Sequence, residues 1–273
     1  MREMVAATAL EATALEATAL EATDLTVRFG GIVALDKVSI SIPVNQISAV
    51  IGPNGAGKTT FFNAVCGFVR PHAGSVTYAG RPLNRIHPHQ LTSLGISRTL
   101  QGLGLWPGLT VLENVMVGAP RARRPNIAWA LSGLPRSDRD ETAVRRAALE
   151  SLAGFGIDRY ADALPGALPF GVQKHVALAR ALASKPSLLL LDEPASGLTG
   201  GEIKELVDRL RAWRSTMTIA LVEHRLDLVM KACDRVTVLD FGKVIAAGTP
   251  AEVSVHPAVT AAYLGEKLEP IDA

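Results

Sequence analysis

Short apolar and alternating stretches in the first third of the chain predict β-strands. The apolar run 47–51 has the length of a buried strand, and polar and apolar residues alternate over 38–42. A helix is predicted over 58–66, because Gly67 follows it and glycine tolerates the left-handed conformation in which helices end. Tight turns are expected at Gly30-Gly31 and Ala79-Gly80. The strands predicted in this part are 25–29, 38–42, 47–51 and 75–78.

From residue 171 onward, helical and strand patterns alternate regularly. Strands that alternate with helices pair in parallel, in a sheet with helices on both faces. The sequence therefore predicts an α/β fold. The predicted helices are 173–183, 201–214 and 225–232, and the strands that follow them are 188–191, 218–222 and 236–239.

The middle of the chain, 102–170, is rich in Gly, Pro and Arg and predicts a helical subdomain inserted in the α/β core. Its helical stretches lie near 111–117 and 138–152. Residues 119–147 contain seven Arg against three acids. This basic stretch is either a surface for acidic lipid headgroups or a solvated helix and loop, and we favour the second because solvated charges are the commoner case.

The first 23 residues repeat the unit Ala-Thr-Ala-Leu-Glu three times. A period of five matches neither the 3.6 of a helix nor the 2 of a strand, so the leucines cannot share one face. We therefore interpret 1–23 as a low-complexity tail, weakly helical at most. An oligomerising or anchoring arm is the alternative.

Composition narrows the classes of protein that remain. The 273 residues are 48% hydrophobic and carry a net charge of +2, which excludes disorder and gives no reason to expect nucleic-acid binding. Two cysteines, Cys66 and Cys233, form no metal-binding or disulfide pattern, so a reducing cytosol is expected. No apolar run approaches the roughly 18 residues of a membrane span, and the N-terminal apolar stretch is too short for a signal peptide. Any membrane role must come through a partner.

A glycine-rich loop between the strand 47–51 and the helix 58–66 matches G-x-x-x-x-G-K-[ST] in full. Its glycines let successive backbone N–H groups converge on phosphate oxygens, and the helix adds its positive N-terminal dipole. Lys58 would reach the β- and γ-phosphates, and the Thr59 hydroxyl would ligate Mg²⁺. Thr60 is expected to belong to the same nucleotide-binding segment. The loop consists of Gly52, Pro53, Asn54, Gly55, Ala56, Gly57, Lys58 and Thr59.

Two acids end the predicted strand 188–191, and acids at that position cannot stay buried without partners. Beside a phosphate loop, Asp192 would hold the Mg²⁺ shell and Glu193 would orient or deprotonate the attacking water. His224 follows the strand 218–222, at the strand end where open α/β sheets bind ligands. We assign His224 to the γ-phosphate.

These residues and their order resemble the ATP-binding subunits of ABC transporters, over 24–266. The resemblance implies a P-loop NTPase core of the RecA type (24–101 and 171–248) with a small antiparallel β subdomain, the helical subdomain 102–170 and a helical C-terminal tail (249–273). It implies that Phe29 stacks on adenine. It also implies that Gln101 touches Mg²⁺ and, with the segment 102–107, senses a membrane partner.

Several segments resemble the branched-chain amino-acid importers in particular, within a wider cluster of amino-acid and urea importers. The insert 119–147 fits that group too. Urea, short amides and other small organic solutes therefore stay open as cargo. The segments are 28–35, 109–115, 222–230, 241–250 and 262–266.

Two motifs depart from the family pattern. The signature, usually Leu-Ser-Gly-Gly-Gln, is Leu168-Pro169-Phe170-Gly171-Val172 here, so its serine and glutamine are missing. Gly171 and the N-terminus of the following helix remain to meet a partner's γ-phosphate. The aspartate of the loop that crosses the dimer interface is Thr199. The loosened signature does not by itself imply inactivity, because subunits of the branched-chain importer type often have one. The change at Thr199 bears on the coupling between the two sites of a dimer.

The resemblance implies ATP and Mg²⁺ as cofactors and a second ATP-binding subunit, identical or related, as partner. It also implies integral-membrane permease subunits, an indirect link to an extracytoplasmic solute-binding protein, and a peripheral location on the cytoplasmic face of the membrane. Alternatively, this chain is itself the silent member of a pair, which binds ATP but leaves hydrolysis to a related subunit with an intact signature. A soluble ABC protein acting on ribosomes or DNA, and a P-loop kinase, fit the chain less well.

Overall fold

The structure, a computed structural model, describes residues 17–83, 85–99, 102–119 and 136–263. The chain forms two compact units. The first contains the residues up to Pro88 and those from Val207 onward, and the second contains His89 to Leu206. No helix in the described ranges is long and apolar enough to cross a membrane.

The described residues form ten strands and eight α-helices. The strands are β1 (Thr18–Phe29), β2 (Ile32–Pro43), β3 (Ile47–Ile51), β4 (Ala73–Tyr78), β5 (Arg81–Pro82), β6 (Ile96–Arg98), β7 (Leu188–Asp192), β8 (Thr218–Val222), β9 (Arg235–Asp240) and β10 (Lys243–Gly248). The helices are α1 (Lys58–Val65), α2 (Val111–Met116), α3 (Arg136–Ala153), α4 (Phe170–Leu182), α5 (Gly200–Trp213), α6 (Leu226–Ala232), α7 (Pro250–Ser254) and α8 (Pro257–Tyr263).

The first unit contains two layers of strands. One is an antiparallel sheet in the order β2-β1-β4-β5, and the other has the order β10-β9-β3-β8. Strand β3 pairs in parallel with both β8 and β9, so it is the inner strand from which the chain enters α1. All five residues of β3, including Ser48, are buried, so apolar and polar residues do not alternate along it.

The predicted boundary between a tail (1–23) and the domain is wrong, because β1 begins at Thr18 and not near Asp24. Leu20 and Ala22 are buried in the sheet, so part of the last repeat unit belongs to it. Asp24 has a φ of +49°, and the pairing of β1 with β2 shifts between Ala22 and Leu25. This bulge shifts the alternation of buried and exposed residues by one position. The sequence of one continuous strand therefore reads as two separate patterns.

The second unit combines the parallel pair β6 and β7 with the helices α2, α3 and α4. Helix α3 buries Val144, Ala148 and Leu152, which share one face at a spacing of four residues. Arg145 and Arg146 point away from that face and are exposed, as in a solvated helix. The compact unit begins at His89 and ends at Leu206, and the boundaries 102 and 170 that we predicted for a helical subdomain lie inside it.

Candidate functional site

The phosphate loop leaves β3 at Ile51 and enters α1 at Lys58. A Cβ atom at Gly52 would collide with the carbonyl oxygen of Leu239, and one at Gly57 would lie 2.6 Å from the carbonyl oxygen of Ala34. Both glycines also have positive φ angles, of 151° and 103°. Only glycine fits a loop so closely backed by other backbone.

Lys58 holds the loop in its curled form. Its side chain is buried, and Nζ donates hydrogen bonds to the carbonyl oxygens of Gly52 (2.6 Å) and Pro53 (2.8 Å). No side chain caps the N-terminus of α1 at Gly57, so the positive end of the helix is available to an anion. Thr59 and Thr60 lie in the first turn and are partly exposed. This arrangement fits a polyphosphate.

Phe29 ends β1 and pairs with Ile32 across the tight turn at Gly30-Gly31. Its side chain is 51% exposed, and Ile32 is 72% exposed. An exposed aromatic ring at the tip of a hairpin is available for stacking on a flat ligand.

His224 follows β8, as predicted, and its side chain is 48% exposed. The preceding residue, Glu223, is fully buried and anchors this loop. Its carboxylate oxygen Oε2 accepts hydrogen bonds from the backbone N–H groups of His224 (2.9 Å) and Arg225 (3.0 Å). Glu223 therefore fixes the backbone that presents the imidazole, a role that the sequence analysis did not assign.

Asp192, at the end of β7, is held by residues that we did not predict. Arg98 donates to its Oδ2 at 2.8 Å, with side-chain exposures of 6% for Arg98 and 1% for Asp192. The Thr99 hydroxyl accepts a hydrogen bond from the Asp192 backbone N–H. The other carboxylate oxygen, Oδ1, is buried and accepts no hydrogen bond from the described residues. A buried anionic oxygen without a partner fits a Mg²⁺ ligand.

The described residues contain no cluster of three or more His, Cys, Asp or Glu side chains that could hold a metal ion by themselves. A Mg²⁺ ion held by one carboxylate would therefore take other ligands from phosphate oxygens and water, as is usual in nucleotide sites.

Glu193 has a φ of +47°, a left-handed conformation that is rare outside glycine. Such strain at the end of a buried strand marks Glu193 as a candidate functional residue. A cavity of about 190 Å³ in the second unit opens beside Asp192 and Glu193, and it is also lined by Phe170 and Lys174.

The altered signature lies at the start of α4, which begins at Phe170, so that Gly171 belongs to its first turn. No side chain caps this N-terminus. The ring of Phe170 packs against Gly197, where a Cβ atom would lie 2.8 Å from the Phe170 Cε1 atom. Lys174 donates to the carbonyl oxygen of Pro194 at 2.9 Å. The two segments that depart from the family pattern therefore touch each other.

Thr199 is joined to Glu202 at the start of α5. The Glu202 Oε2 atom accepts hydrogen bonds from the Thr199 N–H (2.8 Å) and hydroxyl (2.7 Å). These bonds lower the pKa of the Glu202 carboxyl. A Cβ atom at Gly171 would collide with the other carboxylate oxygen, Oε1. The sequence analysis missed this contact, although the Thr-x-x-Glu spacing is a capping signal that could have found Glu202.

Two side chains fix the segment 102–107. Asn114 is fully buried, and it accepts a hydrogen bond from the Trp106 N–H (2.8 Å) and donates one to the Trp106 carbonyl (3.1 Å). Arg180 donates to the carbonyl oxygen of Gly104 at 2.6 Å. Trp106 stays 46% exposed and is thus held on the surface in a defined position.

The predicted site residues are distributed over both units. Phe29, the loop Gly52 to Thr59 and His224 belong to the first, and Gly171, Asp192 and Glu193 belong to the second. Gln101, predicted to contact Mg²⁺, lies outside the described residues.

Comparison with known proteins identifies related sequences over most of the chain. Residues 35–196 match the family model of the ABC transporter, and residues 243–269 match that of the branched-chain amino acid ATP-binding cassette transporter. The chain is 35% identical over 245 residues to the high-affinity branched-chain amino acid transport ATP-binding protein BraF of Pseudomonas aeruginosa, covering 89% of this chain and 96% of that protein. It is 36% identical over 244 residues to the corresponding protein LivG of Salmonella typhimurium, again over 89% and 96%.

Solved structures give the same result for the fold. A nucleotide-free ATP-binding cassette from an ABC transporter has a TM-score of 0.79 at 29% identity, over 91% of this chain and 100% of that chain. A dimeric cassette in a post-hydrolysis state, bound to ADP and Pi, has a TM-score of 0.70 at 25% identity, over 85% and 98%. The predicted P-loop NTPase fold is confirmed.

Proposed function

This chain belongs to the ATP-binding subunits of ABC transporters, in which ATP hydrolysis is coupled to transport, and we propose that its transporter imports branched-chain or other hydrophobic amino acids. The match of residues 243–269 to the branched-chain amino-acid cassette model supports this cargo, because it covers a C-terminal segment beyond residues 35–196, which match the general ABC transporter model. Urea, short amides and other small organic solutes are the alternatives.

The observation that carries the ATPase function is the phosphate loop. Lys58 bridges the Gly52 and Pro53 carbonyl oxygens, and the uncapped N-terminus of α1 follows directly. When ATP binds, the loop N–H groups would hold the β-phosphate and the Lys58 ammonium would turn to the β- and γ-phosphates. Phe29 would stack on the adenine ring, and Thr60 would stay beside the phosphates.

Asp192 would hold Mg²⁺ through its Oδ1 atom, together with the Thr59 hydroxyl and the Gln101 side chain. The ion would neutralise charge on the phosphate oxygens as the γ-phosphoryl group is transferred. Arg98 keeps Oδ2 engaged, so that Oδ1 alone is offered to the metal. Glu193 would orient the attacking water and accept its proton, and His224 would hydrogen-bond the γ-phosphate.

In the working transporter, two such subunits would close on ATP head to tail, each phosphate loop facing the other subunit's Gly171. The segment 102–107, with Trp106 exposed on it, would contact the integral-membrane permease. The subunit would thus sit on the cytoplasmic face of the membrane and depend on an extracytoplasmic solute-binding protein only indirectly.

Two variants test this function. Lys58→Ala should lose ATP binding, and Glu193→Gln should bind ATP but turn it over at least about 100-fold more slowly, as expected for loss of a general base. Lys204→Ala, an exposed lysine on α5, is the matched control and should behave as wild type. Unchanged turnover in Glu193→Gln would refute the catalytic assignment.

Cargo is tested in cells that depend on this subunit, by uptake of radiolabelled leucine and of radiolabelled urea. Leucine uptake that is lost in Lys58→Ala and restored by the wild-type chain supports the proposal. Loss of urea uptake alone would assign the subunit to the alternative cargo.

A second candidate is a subunit that binds ATP but leaves hydrolysis to a related partner, and the altered signature Leu168–Val172 favours it. Measurable ATP turnover by the purified wild-type chain alone would exclude it. ATP binding with turnover only after addition of a related subunit would establish it.

A further inference from the structure

The two departures from the family pattern meet at one carboxylate. Glu202 stands in the first turn of α5, where Oε2 is tied to Thr199 and Oε1 lies against Gly171 in the first turn of α4. Gly171 is the signature glycine whose backbone would meet a partner's γ-phosphate. A negatively charged group of this same chain therefore lies directly beside the glycine at which a phosphate is expected.

The position attracts an anion for physical reasons. The first turn of α4 has no side-chain cap, so its N–H groups and the positive end of the helix dipole face outward. Lys174 on the same helix adds favourable positive charge next to Glu202, and His175 adds to it when it is protonated. Glu202 is partly exposed, so it can be displaced without unfolding the core.

The carboxylate is also held firmly in this place. Two hydrogen bonds from Thr199 fix Oε2, and Lys174 fixes the loop that carries Thr199 through the Pro194 carbonyl. Phe170 packs on Gly197 of the same loop. The contact between the signature segment and this loop is thus continuous, and it does not rest on one flexible side chain.

We propose that the Glu202 carboxylate competes for the N-terminus of α4 with the γ-phosphate of ATP bound to a second copy of the chain. Glu202 would thereby weaken the dimer that forms in Mg-ATP. The inference rests on the proposed function, because it needs ATP bound between two copies. Two like charges cannot share one helix end, so closure requires that the carboxylate move away or that repulsion be overcome. Each dimer contains two such contacts, so the effect on dimerisation is doubled.

The test compares dimer dissociation constants in Mg-ATP by light scattering, in the Glu193→Gln background, where ATP hydrolysis should be slow. Adding Glu202→Gln removes the negative charge of the side chain and keeps its size. Glu202→Ala removes the side chain that lies beside Gly171. Both should lower the dissociation constant at least tenfold. The advantage should shrink in 1 M salt, where repulsion is screened.

Glu205→Gln, three residues further along α5 and exposed, removes the same charge away from Gly171 and should leave the dissociation constant unchanged. An unchanged or weaker dimer in both Glu202 variants would overturn the inference, and so would an equal gain in Glu205→Gln. ATP binding without dimers in any variant would overturn it too. Loss of ATP binding in the Glu193→Gln parent would instead refute the proposed function.

Discussion

At the scale of single residues, a buried ion pair decides how the acidic end of β7 is presented. Arg98 and Asp192 are 94 positions apart, and their side chains are almost completely removed from water. The sequence predicts Asp192, because an acid after an apolar strand needs a partner, but not which cation supplies it. Partners that are distant along the chain follow from the fold and not from local pattern. Glu202 beside Gly171 is a second case of the same kind.

Replacing Arg98 by Met should strongly destabilise the protein. The substitution keeps most of the buried volume but leaves Asp192 charged and without its cation, which typically costs about 3–5 kcal/mol. Urea unfolding at pH 7 measures the loss. Arg145→Met, on the exposed face of α3, should change the free energy of unfolding by less than about 0.5 kcal/mol. Equal stability of Arg98→Met and wild type would show that the pair contributes nothing.

At the scale of elements, the sequence predicts the bounds of a strand correctly where its residues are buried throughout. It fails where a bulge interrupts the strand. Strands β3 and β8 occupy the predicted ranges 47–51 and 218–222, because every residue in them is buried and all but Ser48 and Thr218 are apolar. Strand β1 extends from Thr18 and not from residue 25, since the bulge at Asp24 shifts its alternation. Three-residue β6 is too short for its pattern to be read.

Leu20 tests whether the extended part of β1 belongs to the fold. Its side chain is fully buried, so Leu20→Ala should lower the free energy of unfolding by about 2–5 kcal/mol, the usual range for Leu→Ala in a core. Glu21→Ala, the exposed neighbour on the same strand, should have little effect. If chemical denaturation gave Leu20→Ala the same free energy of unfolding as wild type, the tail would extend to residue 23, as the sequence predicted.

Capping boxes give the stability of the helices a defined pH dependence. At the start of α2, hydrogen bonds from the Thr110 backbone and hydroxyl lower the pKa of Glu113 from its ordinary 4.5. A carboxyl with a lowered pKa contributes stability above its unfolded value, and that stability is lost as the pH falls through the folded value. Glu113→Gln should therefore be destabilising at pH 7 and approach wild type near pH 3. Glu141→Gln, at an exposed position on α3, provides the comparison. If the difference in free energy of unfolding between Glu113→Gln and wild type did not change with pH, the capping box would not contribute in this way.

At the scale of the whole molecule, ligand binding should appear as stability that depends on ATP concentration. A ligand at 100 times its dissociation constant that binds only the native state raises the free energy of unfolding by about 2.7 kcal/mol. For a chain of this size we expect the melting temperature to rise by at least about 5 °C in saturating Mg-ATP, and to keep rising with the logarithm of concentration. Lys58→Ala should abolish the shift, because Lys58 both shapes the loop and meets the phosphates. Lys204→Ala should keep it, and an equal shift in Lys58→Ala would place the nucleotide away from the loop.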